Sequence, residues 1–125
     1  FNSMTTFDEY KAELDSKHLR WSPPHRLETF WKEHAEKFKE HDWKVLKQLA
    51  NIIASNNDEG GVDPVVLAVA LNDISHIITE FPEAVKVIER LGIKVNIMEL
   101  MNHPNAEVKY EALKTTQNFI AHTFK

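Results

Sequence analysis

The 125-residue sequence predicts an all-α domain built of stacked helices. Three observations carry that expectation. No stretch sustains the apolar–polar alternation of a strand, and no hairpin dipeptide stands between two apolar runs. Residues 64–80 place apolar side chains on nearly every side of a helix, at positions 65, 66, 67, 69, 70, 71, 74, 77 and 78. A surface helix carries one apolar stripe, so this helix is expected at the centre, wrapped by its neighbours. Finally, the chain repeats itself. A shift of 42 residues lays Val66, Ala70, Leu71, Ile77 and Ile78 on Val108, Ala112, Leu113, Phe119 and Ile120, and Asp63 on Asn105. A period of about 40–47 residues with helices alone belongs to armadillo and HEAT repeats. The expected architecture is therefore an armadillo/HEAT-like helical repeat bundle. The plain alternative is two unrelated amphipathic helices that agree by chance.

Each element has a local reason. Thr6-Phe7-Asp8-Glu9 has the capping-box form and opens a short helix to about residue 16, with Phe7, Tyr10 and Leu14 on its apolar edge. Residues 17–21 read as a connector. Ser22-Pro23-Pro24 starts a second helix whose stripe is Leu27, Phe30, Trp31, Ala35 and Phe38. Its outer face carries Glu28/Lys32 and Glu33/Lys37, pairs four residues apart worth roughly 0.3–0.5 kcal/mol each. Asp42 is expected to cap a helix over 43–55, with Val45, Leu46, Leu49, Ile52 and Ile53 inward. Residues 56–62 break the pattern as an exposed loop. Asp63 caps and Pro64 opens the central helix, and Phe81-Pro82 ends it, because a residue before proline avoids the α region. A helix over 83–91 closes on Gly92 in a left-handed cap. A short helix near 94–101 and a turn at Asn102-His103-Pro104 lead to a last helix over 106–122. Its inward residues are expected to be Val108, Ala112, Leu113, Phe119 and Ile120.

Composition narrows the function classes. The length suits one domain with a real core, residues 6–125, and Phe1-Asn2-Ser3 ahead of Met4 reads as a cloning remnant in a disordered start at 1–5. No apolar run approaches the ~20 residues that span a bilayer. With no cysteine, disulfide and thiolate chemistry are excluded. A net charge of -4 argues against nucleic acid, which needs a basic patch. No Lys or Arg occurs between Lys47 and Lys86, whereas Asp58, Glu59, Asp63, Asp73, Glu80 and Glu83 do; this acidic zone suits a basic protein surface.

The chemistry-bearing residues do not assemble into an active site on paper. His34 and His41, with Glu33 and Glu40 near them, have a helical spacing that could hold a metal, but solvated surface histidines are the weightier reading. Asp73, Ser75 and His76 are an acid, a hydroxyl and a base that point in different directions around one helix. Gly60-Gly61 lacks the GxxxxGK[ST] spacing of a phosphate loop. Asp58 and Glu59 have no apolar pocket to raise either pKa. Trp21, Phe30, Trp31 and Trp43 read as core rather than as a base-stacking platform. No catalytic residue, cofactor site or metal site is assigned. A generic helical-repeat adaptor for peptide or protein partners is the alternative function class.

Several runs together are specific. Leu19-Arg20-Trp21-Ser22-Pro23-Pro24-His25 with Phe30-Trp31-Lys32-Glu33 resembles the start of the C-terminal domain of the H subunit of the vacuolar-type proton ATPase (V-ATPase). Leu67–Ile74 followed by Phe81-Pro82, Val95–Met101 with Asn102-His103, and Val108–Leu113 resemble the same family in the same order. The likeness covers about residues 7–122. His34 stands where the family usually has Asn, Ser75 where it usually has Gly, and the loop 56–62 is longer than in many relatives. The resemblance implies stacked armadillo-like helices within a longer subunit that carries a larger helical-repeat domain ahead of this one. It implies a non-catalytic regulator without a cofactor, peripheral on the cytosolic face of vacuolar or endosomal membranes, which braces the two sectors of the pump and silences ATP hydrolysis when they separate. The implied partners are the catalytic-sector head, the rotor stalk and the cytosolic part of the large membrane subunit. Direct membrane insertion is not implied, and the isolated domain is expected to be monomeric.

The residues themselves direct attention to one contact, the loop Ser55, Asn56, Asn57, Asp58, Glu59, Gly60, Gly61 and Val62. It is the least helical stretch in a helical chain, and loops on rigid scaffolds often carry function. It opens the acidic zone, and its glycines permit backbone conformations closed to other residues. It is the expected inhibitory contact; a passive linker is the alternative.

Overall fold

The computed structural model describes residues 6–16, 31–32, 35–38, 40–56 and 61–123, and every regular element among them is helical. At the centre stands α3 (Pro64–Glu80). It begins as its sequence dictates: the Asp63 carboxylate accepts a hydrogen bond from the Val65 N–H at 2.8 Å, and Pro64 sits where no N–H is needed. Phe81 leaves the helix at φ -132°, ψ 88°, while its own N–H still donates to the Ile77 carbonyl at 2.8 Å. From Leu67 to Ile78 every side chain is buried except the half-buried His76. Val65, grouped with the apolar positions, is exposed, although Val66 and Leu67 next to it pack into the core.

Two helices flank α3 in sequence. In α2 (Glu40–Ser55) the five expected inward residues, Val45, Leu46, Leu49, Ile52 and Ile53, are all buried. Asp42 does not cap it. The helical run already includes Asp42, whose φ of 57° and that of Trp43, 62°, lie in the left-handed region. Its carboxylate accepts from Lys47 Nζ at 2.8 Å instead of from a helix N–H. Left-handed backbone is unusual for a bulky residue; here the Trp43 ring is held edge-on to Phe81, with centroids 5.8 Å apart. In α4 (Ala84–Leu91) the end is as expected: Gly92 turns left-handed at φ 75°, and its N–H reaches the Ile88 and Glu89 carbonyls.

The N-terminal part is described in pieces. Helix α1 (Thr6–Ser16) packs on α2 through the buried Leu14, and Gln48 donates to Asp15 at 2.9 Å. The expected second helix lies partly outside the described residues, as do Leu27, Phe30, Trp21, His34 and both expected ion pairs. Residues 31–32 are helical, but Ala35–Phe38 form a tighter 3-10 turn. Such turns commonly end a helix, here just before α2 begins. Trp31 is fully buried, as a core residue should be.

Beyond α4, α5 (Lys94–Glu99) runs into a 3-10 turn, Leu100–Asn102. Then α6 (Ala106–Thr123) opens on Asn105, whose side-chain oxygen accepts from the N–H groups of Glu107 at 2.9 Å and Val108 at 3.1 Å. Val108, Ala112 and Phe119 face inward as expected, but Leu113 and Ile120 are 46% and 47% exposed. They lie seven residues apart on a side of the helix that the described residues only partly cover. Glu111, Thr115 and Thr116 are buried in α6 as well.

Helices α3 and α6 pack side by side along most of their length. Thr115 Oγ1 shares its one proton between the Leu71 carbonyl at 2.9 Å and the Glu111 carbonyl at 2.8 Å, Lys114 Nζ donates to Asn72 Oδ1 at 3.2 Å, and Asn118 Nδ2 donates to the Ser75 carbonyl at 2.8 Å and to Thr79 Oγ1 at 2.9 Å. The partners advance together, so the helices run parallel, offset by about the shift that aligns their sequences. Ala70 and Ala112, both fully buried, leave room for the close approach.

Candidate functional site

The loop at 55–62 is built from its two ends inward. Ser55 closes α2 by donating its hydroxyl to the Asn51 carbonyl at 2.7 Å. The Asn56 N–H reaches the Ile53 carbonyl at 3.3 Å, and the Asn56 side-chain oxygen crosses the loop to accept from the Val62 N–H at 3.3 Å. Gly61 takes φ 65°, a conformation that L side chains rarely adopt. A Cβ there would lie 3.5 Å from the Asn56 side-chain oxygen, so backbone sign rather than crowding selects glycine. Val62 packs against the core, and Asp63 follows as the cap of α3. The base of the loop is thus pinned by Asn56 and Val62. Asn57, Asp58, Glu59 and Gly60, the part expected to make contact, lie outside the described residues.

Asn56 also faces a cavity of about 120 Å³ that it shares with Ile53, Asn96, Glu99, Leu100 and Asn102. The loop base therefore adjoins the turn after α5. Sequence reasoning identifies Asn56 as a loop residue but not as a staple; the signal is an Asn just past a helix end, six residues before an apolar residue that re-enters the core.

The acidic zone is not one surface. Asp63 and Glu83 are exposed and Glu80 is half-buried, but Asp73 is fully buried, with the Asn72 side-chain amide donating to it at 3.1 Å. A buried carboxylate cannot face a docking partner. Asn72 is buried too, in a polar seam where Lys114 pairs with Glu111 at 2.8 Å. This seam escapes a periodicity reading, because its members are polar.

Asp73, Ser75 and His76 serve three different neighbourhoods. Ser75 Oγ accepts from Asn118 Nδ2 at 3.1 Å, and the His76 ring stacks on Trp31 with centroids 5.0 Å apart and planes 5° from parallel. They form no catalytic array. Among the described residues no group of three or more His, Cys, Asp or Glu side chains could hold a metal, and no helix is long and apolar enough to cross a membrane. Two carboxyls are held below the usual carboxylate range: Asp15 by the Gln48 amide and then Lys11, and Asp42 by Lys47. Both sit at helix–helix edges away from the loop.

Comparison with known proteins extends these observations over the whole chain. The family of the V-ATPase H subunit matches residues 3–124. The chain is 37% identical over 114 residues to the probable V-type proton ATPase H subunit of Oryza sativa, a match that covers 91% of this chain and 24% of that protein. It is 32% identical over 122 residues to the V-type proton ATPase H subunit of Drosophila melanogaster, covering 98% and 25%. It is 34% identical over 122 residues to a probable V-type proton ATPase H subunit of Caenorhabditis elegans, covering 98% and 26%. The chain spans about a quarter of the length of these relatives.

Proposed function

The chain belongs to the family of the V-ATPase H subunit, and we propose that it acts as a non-catalytic regulatory domain of that proton pump. The observation that carries this reading is a family match running from residue 3 to residue 124. On this reading the domain is an armadillo/HEAT-like piece at the C-terminal end of a longer subunit, monomeric in isolation and peripheral on the cytosolic face of the membrane. The parallel pairing of α3 and α6 at the sequence repeat supports the architecture.

The action is mechanical. A rigid helical body bridges the catalytic and membrane sectors, in contact with the catalytic-sector head, the rotor stalk and the cytosolic part of the large membrane subunit. When the sectors separate, the same body lodges between rotor and stator and stops turnover. The loop 55–62 makes the inhibitory contact: its base is pinned at Asn56 and Val62, and Asp58 and Glu59 meet a basic surface. Each exposed charge contributes only about 0.2–1 kcal/mol, so Asp58→Ala alone should act mildly.

The test is ATP hydrolysis by the detached catalytic sector with whole subunit added at matched, sub-saturating concentration. Replacing Asn57-Asp58-Glu59 together with serines should relieve inhibition while circular dichroism and melting stay unchanged. Full silencing by that variant would place the contact elsewhere. Failure of the unaltered subunit to silence hydrolysis would overturn the regulatory reading itself.

A further inference from the structure

Between α5 and α6 runs a groove of about 130 Å³, lined by Lys94, Ile97, Met98, Thr116, Phe119 and Ile120. Its volume is close to the ~150 Å³ of an apolar cavity that accepts benzene, so it has room for one bulky side chain. Ile97 and Phe119 are buried and form the floor, whereas Met98 and Ile120 are 40% and 47% exposed and form the rim, with Val95 beside them at 63%. One charged group makes it more than a bare apolar face. Thr116 lines the groove at 7% exposure, with its hydroxyl closed off from solvent. Lys94 holds its ammonium 5.4 Å from the centre of the Phe119 ring, and none of the described carboxylates pairs with it.

We propose that this groove is a docking site for an amphipathic helix of a partner polypeptide. That helix inserts one Leu- or Phe-sized side chain and sets a carboxylate against Lys94. The charge fixes the occupant's sign: a basic helix would meet Lys94 unfavourably, and a purely apolar one would leave Lys94 unmatched. An amphipathic helix that lays its apolar face into a hydrophobic groove is a recurring mode of recognition. The site lies on α5 and α6 and is independent of whether the loop 55–62 inhibits hydrolysis.

The probe is an Ala/Gln-based helical peptide with one Phe and, four residues on, one Glu, compared with its Gln counterpart. Methyl NMR of this chain should show saturable shifts confined to Ile97, Met98, Thr116 and Ile120. The Gln peptide should bind about two- to fivefold more weakly, the range an exposed ion pair allows. Lys94→Gln should equalise the two peptides. No saturable shift at these methyls, equal affinity for the two peptides, or contacts in the free protein showing the groove filled by Phe124 or by a second copy would overturn the proposal.

Discussion

Helices α3 and α6 carry matching apolar residues at the same spacing, yet they live in different surroundings. Leu71 and Ile78 are fully buried, whereas their counterparts Leu113 and Ile120 are about half exposed. The difference lies in position. α3 is covered by α2, α4 and α6, while α6 sits at the edge and is covered by α3, α5 and the turn after it. The inner face of the pair is shared: Ala70 and Ala112 are both fully buried. A repeated pattern thus specifies which face meets the neighbouring repeat. How much of the remaining surface is covered depends on which other elements lie against each helix.

The comparison breaks most readily at its paired leucines. Leu71→Ala should cost about 2–5 kcal/mol through the cavity it leaves. Leu113→Ala should cost about 0.5 kcal/mol or less. Urea unfolding of both variants would measure the gap, and equal losses would mean that α6 is buried as α3 is. Next comes Asn72→Ala. Its side chain lies between Asp73 and Lys114, so its loss should cost about 1–3 kcal/mol, well above an ordinary surface change. A negligible loss in the same assay would put Asn72 on the solvent face.

The caps sharpen the pair further. Asp63→Ala and Asn105→Ala should each lower stability by about 1 kcal/mol, because both remove a side-chain acceptor from a first turn. Thermal melts that showed only one loss would mean that the two helix starts are not equivalent. The smallest effect lies away from both helices. The folded Asp15 carboxyl is held low chiefly by Gln48 and then by Lys11, so its stabilising contribution is present above its unfolded pKa. That contribution fades as pH falls through the folded value. Gln48→Ala should therefore remove a small part of the acid-side slope, under about 1 kcal/mol because the carboxylate is half exposed. Melting followed from neutral pH down through the acid range would show it. A slope identical to the unaltered protein's would assign Asp15 no role.

Much of this fold is legible in the sequence because local chemistry and burial agree. Asp63-Pro64 at the start of α3, Phe81-Pro82 at its end, Gly92 after α4 and Asn105 before α6 are all punctuation with a short-range cause. What escapes has a cause beyond residue type and spacing. Asp42 has the residue type of a cap, but Lys47 takes its carboxylate and the backbone around it turns left-handed. Leu113 and Ile120 have inward spacing, but periodicity cannot report which face of a helix a neighbour covers. Asn72 and Asp73 have the polarity of solvated residues, but Asn72 meets Lys114 of α6, 42 residues away in sequence. Of the candidate loop, the pinned base at Asn56, Gly61 and Val62 follows from Asx and glycine chemistry. Its four central residues lie outside the described structure.

The parallel course of α3 and α6 bears on the order in which the domain folds. Neighbours such as α2 and α3 meet across one loop, but the seam joins residues 39 to 44 apart in the chain. The entropy of closing that span falls due before any seam contact can reward it. α6 is therefore expected to dock late, onto a body already formed around α3, and to be the first unit to lift away. Its Asn118 and Thr115 bonds would then act as the latch whose breaking sets the rate of that opening.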